Sequence, residues 1–269
     1  MLDAASLAVA KPLVQVRDLK MYFPIYSGIL RRHTGDVKAV DGVSFDILAG
    51  ETLGLVGESG CGKSTVGHAL LRLYDPTAGS VTIDGDDIAQ LSPEKLRLKR
   101  PTMQMVFQDP QASLNPRMPL ADIIGEPLVE HTDWSAERRL ERIYELMDAV
   151  SLNRRFANRF PYEFSGGQRQ RIGIARALAV KPDILIADEP VSALDVSVQK
   201  QVLDLLDDLR RRLGLTMLFI THDLRVAAHV CEEIVVLKGG RIVEQGATAD
   251  IFADPQHEYT RMLRSESVV

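Results

Sequence analysis

The chain has 269 residues, of which 45% are hydrophobic and 26% charged, values that exclude intrinsic disorder as its main state. Its formal net charge of −5 and 6% aromatic content disfavour binding to nucleic acid, but they allow a local site for a small phosphate ligand. The cysteines, Cys61 and Cys231, form no CxxC pair, so a zinc or iron–sulfur site is not expected and a reducing compartment is the default. The first ten residues lack the basic start and long apolar core of a signal peptide, and no apolar run reaches the roughly 18 residues that span a membrane.

Short apolar, β-rich runs alternate with helical patterns in the first part of the chain. Because strands that alternate with helices favour a parallel sheet, this rhythm predicts an α/β core. The predicted elements are, in chain order, strands at Leu13–Val16, Val43–Ile47 and Thr52–Val56, a helix at Ser64–Leu73, an edge hairpin from Ser80–Ile83 through the turn Asp84-Gly85, and a strand at Met103–Phe107.

Between Pro110 and Val180 the pattern changes to amphipathic helices such as Ala136–Val150, which predicts a helical insert in which Leu152–Tyr162 is irregular. The strand rhythm then returns. The predicted elements are a strand at Ile184–Ala187, a helix at Val196–Leu213, a strand at Thr216–Ile220, a helix at Leu224–Cys231, and a hairpin of Ile234–Leu237 with Arg241–Glu244.

A phosphate-binding motif joins a predicted buried strand to a helix. The motif GxxxxGK[ST] is present as Gly57, Glu58, Ser59, Gly60, Cys61, Gly62, Lys63 and Ser64, followed by Thr65. Glycines let the backbone N–H groups turn inward, and the following helix directs its positive end at the phosphates. We therefore expect Lys63 to reach the β- and γ-phosphates and Ser64 to ligate Mg²⁺.

An acidic pair ends another predicted buried strand. Four apolar residues, starting at Ile184, lead into Asp188 and Glu189. Ligands of open α/β sheets bind at the carboxyl ends of strands, so these carboxylates are expected beside the phosphate loop. Asp188 would hold Mg²⁺ through water, and Glu189 would orient and deprotonate the attacking water.

A second glycine motif resembles that of a known family. The run from Phe164 to Gln170 resembles the signature of the ATP-binding subunits of ATP-binding-cassette (ABC) transporters, with Phe164 where Leu is commoner; the signature residues are Ser165, Gly166, Gly167 and Gln168. The resemblance implies the ABC ATPase fold, which is a P-loop NTPase core with a mainly parallel sheet, an antiparallel β subdomain and a helical insert. It also implies that one subunit's signature faces the ATP bound to the P-loop of another.

Further motifs follow in the order of that family. Gln108 resembles the Q-loop glutamine, which contacts Mg²⁺, and His222 resembles the switch histidine, which touches the γ-phosphate. The D-loop, which crosses the dimer interface, is matched by Ser192, Ala193, Leu194 and Asp195. An aromatic residue should stack on adenine, and Phe23 aligns best, with Tyr22 as the alternative. Among these residues the catalytic roles fall to Glu189, His222 and Lys63.

Three further segments resemble one group of transporters within the family. The run Gln108–Pro116, the insertion Pro24–Val37 and the tail His257–Arg261 are similar to ATPases of oligopeptide, dipeptide and nickel importers, although Glu258 stands where that group usually has Pro. The absence of a C-terminal cysteine cluster matches the "F" subunit type. The implied organisation is an N-terminal tail at 1–12, an ABC ATPase domain at 13–246 with its helical subdomain at about 110–180, and a C-terminal tail helix at 247–269.

The resemblance also implies partners and a location. The cofactors would be ATP and Mg²⁺, and the partners a second, different ABC ATPase, two transmembrane permease subunits and, indirectly, a periplasmic or lipid-anchored substrate-binding protein, with no nucleic acid. The chain would sit peripherally on the cytoplasmic side of the inner membrane. Peptide is the favoured cargo, and nickel or another small solute is the alternative. A soluble ABC ATPase of DNA repair or translation and a regulatory ATP-binding module are rival readings, although the tandem cassettes, coiled coils and zinc cysteines usual in the former are missing.

Overall fold

The computed structural model describes residues 11–28 and 31–266, with the backbone alone at 266. The N-terminal segment on which the signal-peptide and tail predictions rest lies almost wholly outside these residues. Within the described ranges the strands are β1 (Pro12–Ser27), β2 (Arg32–Leu48), β3 (Thr52–Val56), β4 (Ala78–Ile83), β5 (Asp86–Asp87), β6 (Met103–Val106), β7 (Ile184–Asp188), β8 (Thr216–Thr221), β9 (Glu233–Lys238) and β10 (Arg241–Ala247).

The strands of the described chain form a mainly parallel sheet and an antiparallel sheet. The first has the order β10-β9-β3-β8-β7-β6, in which every pair is parallel except β9 with β10. The second has the order β2-β1-β4-β5 with antiparallel pairing throughout. The predicted fold class is confirmed.

Many of the helices start at a residue whose side chain caps the first turn. Ser135 accepts a hydrogen bond from Arg138 N–H, and Asp195 accepts one from Val198 N–H, which satisfies N–H groups that the helix leaves free. The helices of the described chain are α1 (Lys63–Leu70), α2 (Pro93–Lys99), α3 (Pro110–Ser113), α4 (Leu120–His131), α5 (Ala136–Ala149), α6 (Gly166–Ala177), α7 (Val196–Leu213), α8 (Leu224–Val230), α9 (Thr248–Ala253) and α10 (Glu258–Glu266). None of these is both long and apolar enough to cross a membrane.

The core lies on both faces of the parallel sheet. Ile184 and Ile186 of β7 pack with α1 and the antiparallel sheet, whereas Leu185 and Ala187 pack with α7 and the helical segment from α3 to α6. Side chains alternate between the faces of a strand, so one buried strand serves both layers. The carboxyl ends of β3, β7 and β8 are thereby held at a common edge.

Several predicted elements have other limits in the structure. Helix α1 ends at Leu70 and not Leu73, because Arg72 has the left-handed φ of 49° that an α-helix does not allow. The strands predicted at Leu13–Val16 and Val43–Ile47 lie within the longer β1 and β2, which also include most of the described residues of the insertion Pro24–Val37. The described part of the tail forms two helices, α9 and α10, rather than the one predicted, and Pro255 lies in the break, where its missing N–H and the restraint on the preceding residue end helical pairing.

Candidate nucleotide-binding site

The P-loop joins buried strand β3 to helix α1. Gly60 and Gly62 have φ values of 79° and 109°, a region that favours glycine. A Cβ on Gly62 would lie 2.1 Å from the carbonyl oxygen of Ala39, so the loop is pressed against β2 as well. The glycines at these positions therefore serve both the turn and the close packing.

Lys63 is buried at the centre of the loop. Its Nζ donates hydrogen bonds to the carbonyl oxygens of Gly57 at 2.6 Å and Glu58 at 2.8 Å. The same nitrogen lies 3.9 Å from Glu189 Oε1, and the lysine side chain is only 4% exposed. The predicted phosphate-binding cation is thus held next to the predicted catalytic carboxylate.

Ser64 and Asp188 place a hydroxyl and a carboxylate together beside the P-loop. Ser64 Oγ donates to Asp188 Oδ1 at 3.0 Å. Burial raises the pKa of Asp188, and the hydrogen bond from Ser64 opposes that rise. Hard oxygen donors of this kind are those Mg²⁺ prefers, usually completed by water and substrate phosphates. No cluster of three or more His, Cys, Asp or Glu side chains in the described ranges forms a separate metal cage.

Glu189 is the point at which the predicted catalytic residues meet. Its backbone has a left-handed φ of 43°, uncommon for a residue with a side chain, and its N–H donates to the Ile220 carbonyl at 2.9 Å. Gln108 Nε2 donates to Glu189 Oε2 at 3.0 Å, and His222 Nδ1 lies 3.4 Å from Glu189 Oε1. With Lys63 included, three predicted side chains surround this carboxylate, which is 11% exposed.

The signature segment forms the start of helix α6. Ser165 Oγ accepts from Gln168 N–H at 3.3 Å, and Gln168 Oε1 accepts from Ser165 N–H at 3.0 Å, a reciprocal capping box. Among the hydrogen bonds and ion pairs of the described residues, none joins Ser165 or Gln168 to Lys63. The signature is therefore not joined to the nucleotide loop of its own chain by any of these contacts.

The D-loop connects Glu189 with the signature. Ser192 donates to the Glu189 carbonyl through its N–H at 3.2 Å and its Oγ at 3.1 Å. A Cβ on Gly167 would lie 2.4 Å from Val198 Cγ1, and one on Gly166 would lie 3.3 Å from Leu194 Cδ2. The signature glycines thus allow α6 to pack closely on the D-loop and the start of α7.

Gln199 holds the D-loop from inside helix α7, and sequence reasoning missed it. Its Nε2 donates to the carbonyl oxygens of Val191 and Leu194, both at 3.1 Å. Its position in the first turn of α7, directly after the predicted D-loop, was the sequence feature that could have identified it. The side chain of Asp195 contributes by capping α7, and its hydrogen bonds with Ser197 and Val198 lower its pKa.

The two candidate adenine-stacking residues have different surroundings. The Tyr22 hydroxyl donates to the Asp41 carboxylate, and Lys38 Nζ lies 5.1 Å from the Tyr22 ring centroid. Phe23 is half-buried and meets Tyr74 edge-on, with ring centroids 5.7 Å apart. Because Tyr22 is engaged by polar partners and Phe23 by an aromatic neighbour alone among the ring contacts of the described residues, these contacts favour Phe23 as the ring that would receive a base.

A groove of about 870 Å³ separates this site from the helical insert. Its lining includes Ser64, Gln108 and Asp188 of the site together with Glu126 and Arg176 of the helical insert. Arg176 Nη1 donates to the Ser113 carbonyl at 2.6 Å, and burial lowers the pKa of this arginine. Helix α3, which follows Gln108 in the chain, is thus joined to the signature helix α6, which carries Arg176.

Comparisons with known proteins agree with these motifs. The family model "ABC transporter" matches residues 40–192. The oligopeptide transport ATP-binding protein AppF of Bacillus subtilis (strain 168) is 53% identical over 94% of this chain and 77% of its own length. The dipeptide transport ATP-binding protein DppF of Haemophilus influenzae is 48% identical over 94% of this chain and 77% of its own length. A dimeric, post-hydrolysis structure of the ATP-binding cassette MJ0796 with ADP and Pi has a TM-score of 0.77 at 32% identity, covering 87% of this chain and 98% of that one. The resemblance inferred from the motifs is confirmed.

Proposed function

The chain belongs to the ABC transporter family, and on that premise we propose that it is the ATP-hydrolysing subunit of an importer that takes up oligopeptides or dipeptides across the bacterial inner membrane. The observation that carries the proposal is the carboxylate of Glu189, which Lys63, Gln108 and His222 surround at the edge of the sheet. The printed functions of AppF and DppF support a peptide cargo.

The P-loop binds the phosphates of ATP. Its backbone from Gly57 to Thr65 supplies N–H groups, the N-terminus of α1 adds its partial positive charge, and Lys63 turns from the loop carbonyls toward the β- and γ-phosphates. Phe23 stacks on the adenine. Because this positive potential is local, it is compatible with the chain's net charge of −5.

Ser64, Asp188 and Gln108 would hold Mg²⁺, and the adjacent hydroxyl and carboxylate of the first two fit such an ion. The ion, when bound, neutralises charge that develops on the phosphate oxygens. Ser64 and Asp188 place these ligands at the carboxyl end of β7, where Glu189 directly follows Asp188. Gln108 reaches the same place from the carboxyl end of β6 and also touches Glu189.

Glu189 accepts the proton of the water that attacks the γ-phosphate. Its carboxylate is oriented by Gln108 and His222, so the acceptor oxygen is aimed before the substrate arrives. His222, at the end of β8, donates to the γ-phosphate and holds the water in line. The transferred phosphoryl group leaves as inorganic phosphate, and ADP stays on the P-loop.

A second ABC ATPase completes the site. Ser165, Gly166, Gly167 and the start of α6 face the γ-phosphate held by that partner, and the partner's signature faces Lys63. The isolation of the signature from the chain's own P-loop supports this arrangement. The D-loop, Ser192–Asp195, lies between the two subunits, which we propose to be different proteins of one importer.

The groove transmits the closure of the ATPase dimer to the membrane subunits. Two permease subunits dock between the Q-loop and the helical subdomain, at about residues 110–180, while the subunit itself sits on the cytoplasmic face of the inner membrane. A periplasmic or lipid-anchored binding protein delivers the cargo from the other side.

Along the chain, the proposed organisation is an N-terminal tail at 1–12, an ATPase domain at 13–246 that includes the helical subdomain, and a C-terminal tail at 247–269.

The test is uptake by the assembled importer. The chain is expressed together with two permease subunits, a partner ATPase and a binding protein of a peptide importer, and the complex is placed in liposomes that contain ATP. We expect accumulation of labelled di- to pentapeptides that requires ATP. Uptake of nickel in place of peptide would assign the other cargo, and failure of the chain to assemble with the permeases would contradict the proposal.

A further inference from the structure

The C-terminal tail touches the P-loop through a single side chain. Tyr259 of α10 is 3% exposed, and its hydroxyl accepts a hydrogen bond from the backbone N–H of Glu58 at 2.9 Å. The two residues are 201 positions apart in the chain. A residue of the tail motif His257–Arg261 therefore sits beneath the loop that binds phosphate.

The peptide unit that Tyr259 contacts is the same one that holds Lys63. This unit joins Gly57 to Glu58 and is trans, as are all peptide bonds in the described ranges. A trans peptide is planar and points its N–H and its C=O in opposite directions. The Glu58 N–H points to Tyr259, and the Gly57 C=O accepts from Lys63 Nζ at 2.6 Å. One rigid plane thus links the tail hydroxyl to the phosphate-binding lysine.

Contacts of both its backbone and its ring hold Tyr259 in place. Its backbone N–H donates to His257 Nδ1 at 3.1 Å, and Lys238 Nζ lies 4.6 Å from the centroid of its ring. Lys238 ends β9 next to Leu237, whose carbonyl oxygen would be 2.2 Å from a Cβ on Gly57. Burial raises the pKa of Tyr259, so the hydroxyl keeps its proton and remains neutral.

The start of α10 is anchored to the ATPase core. The Glu244 carboxylate accepts from the N–H groups of Gln256 at 2.7 Å and His257 at 3.0 Å. Arg261 Nη1 donates to the Pro255 and Gln256 carbonyls at 3.0 and 2.9 Å. The tail segment is therefore ordered by hydrogen bonds on both sides of Tyr259, which is the condition for a residue that positions another.

We propose that Tyr259 is a positioning residue for nucleotide binding, which orients the Gly57–Glu58 peptide and so sets the place from which Lys63 reaches the phosphates. The inference rests on the proposed function only in that the P-loop must bind ATP. Without the hydroxyl, the Glu58 N–H loses its acceptor and the peptide is held less firmly, by the Lys63 contact to the Gly57 carbonyl and by packing. ATP affinity should fall, whereas the packing of the ring is unaffected by loss of one oxygen.

The test compares Tyr259→Phe with Tyr144→Phe in the purified full-length chain. Both changes remove one hydroxyl, and Tyr144 lies on α5 of the helical insert, where its ring meets Arg154. The Kd of Mg-ATP is measured by calorimetry, together with amide hydrogen exchange at Glu58 and the thermal midpoint. We expect Tyr259→Phe to raise the Kd about three- to tenfold, the factor for one hydrogen bond, and to speed exchange at Glu58 selectively. Tyr144→Phe should change neither.

An unchanged Kd for Tyr259→Phe would overturn the inference, and so would a fall in the thermal midpoint with faster exchange throughout the chain. Either result would leave the proposed function standing, because the wild-type chain would still bind ATP. Failure of the wild-type chain to bind Mg-ATP would instead contradict the proposed function and this inference with it.

Discussion

His222 Nδ1 lies 3.4 Å from Glu189 Oε1, with the two residues at the ends of neighbouring parallel strands. The left-handed φ of Glu189 turns its carboxylate back toward β8 and the P-loop instead of along the strand direction. Backbone strain of this kind persists where the surroundings over-determine it, and here the Glu189 N–H is held by the Ile220 carbonyl. The pair is therefore set in place by the fold rather than by flexible side chains alone.

Replacing His222 should slow hydrolysis without preventing binding. His222→Ala removes the group that orients the carboxylate and the γ-phosphate, so we expect kcat for ATP to fall about a hundredfold with the Kd nearly unchanged. His229→Ala is the matched control, since His229 is also half-exposed and pairs with an acid, Asp204. Phosphate release by the assembled complex is the measurement. An equal fall in kcat for His222→Ala and His229→Ala would contradict a specific role of His222 in hydrolysis.

Replacing Lys63 should act on binding. Lys63→Met removes a charge-assisted contact to the phosphates, so ATP affinity should fall about ten- to a hundredfold. Lys95→Met on α2 provides the control, because Lys95 is exposed. Calorimetric titration of both variants with Mg-ATP tests the prediction, which would be contradicted by a wild-type Kd for Lys63→Met.

The sequence predicts the elements with strong end signals well. Helix α7 was expected at Val196–Leu213 and has those limits, because Asp195 caps its start and Gly214, with a φ of 65°, ends it. The outer part of the β1–β2 hairpin was missed as a strand because its exposed residues show no apolar alternation. Strand pairing continues there through backbone hydrogen bonds, which leave little trace in composition.

The candidate site could be predicted only in part. The residues of continuous motifs, such as Lys63, Asp188 and Glu189, were identified from spacing, and the structure brings them together. The contact of Tyr259 with Glu58 was not predicted because it joins distant segments and depends on how the tail folds back. The hydrogen bonds of Gln199 depend on the path of the D-loop carbonyls, which no side-chain pattern records.

Alanine at Gly167 should disturb the signature. Its Cβ would lie 2.4 Å from Val198 Cγ1, and valine is stiff at χ1, so α6 and α7 must separate. We expect Gly167→Ala to lower the free energy of unfolding by about 1–3 kcal/mol and to reduce hydrolysis in the assembled dimer. Gly173→Ala on the same helix has no atom within 4 Å of the new Cβ and should keep both properties. Denaturant unfolding and ATPase assays distinguish the two variants, and equal behaviour would contradict the close packing.

The pairing of Asp41 with Tyr22 and Arg241 should make stability depend on pH. Hydrogen bonds from the Tyr22 hydroxyl and from Arg241 hold the pKa of Asp41 at about 2. A carboxyl with a depressed folded-state pKa stabilises the fold above its unfolded pKa, and that contribution is lost as pH falls through the folded value. The stability advantage of wild type over Asp41→Asn should therefore be constant from pH 7 to about 4 and shrink toward pH 2. Thermal unfolding across this range measures it, and an advantage that grows toward low pH would refute the pairing.

The central claim is that this chain hydrolyses ATP with Glu189 as the base. The most direct measurement is ATP binding and phosphate release by the assembled importer carrying Glu189→Gln, with the exposed Glu141→Gln on α5 as the control. We predict that Glu189→Gln binds Mg-ATP as wild type does, traps the closed dimer and releases phosphate at least about a hundredfold more slowly, whereas Glu141→Gln is unaffected. Normal phosphate release by Glu189→Gln would contradict the account.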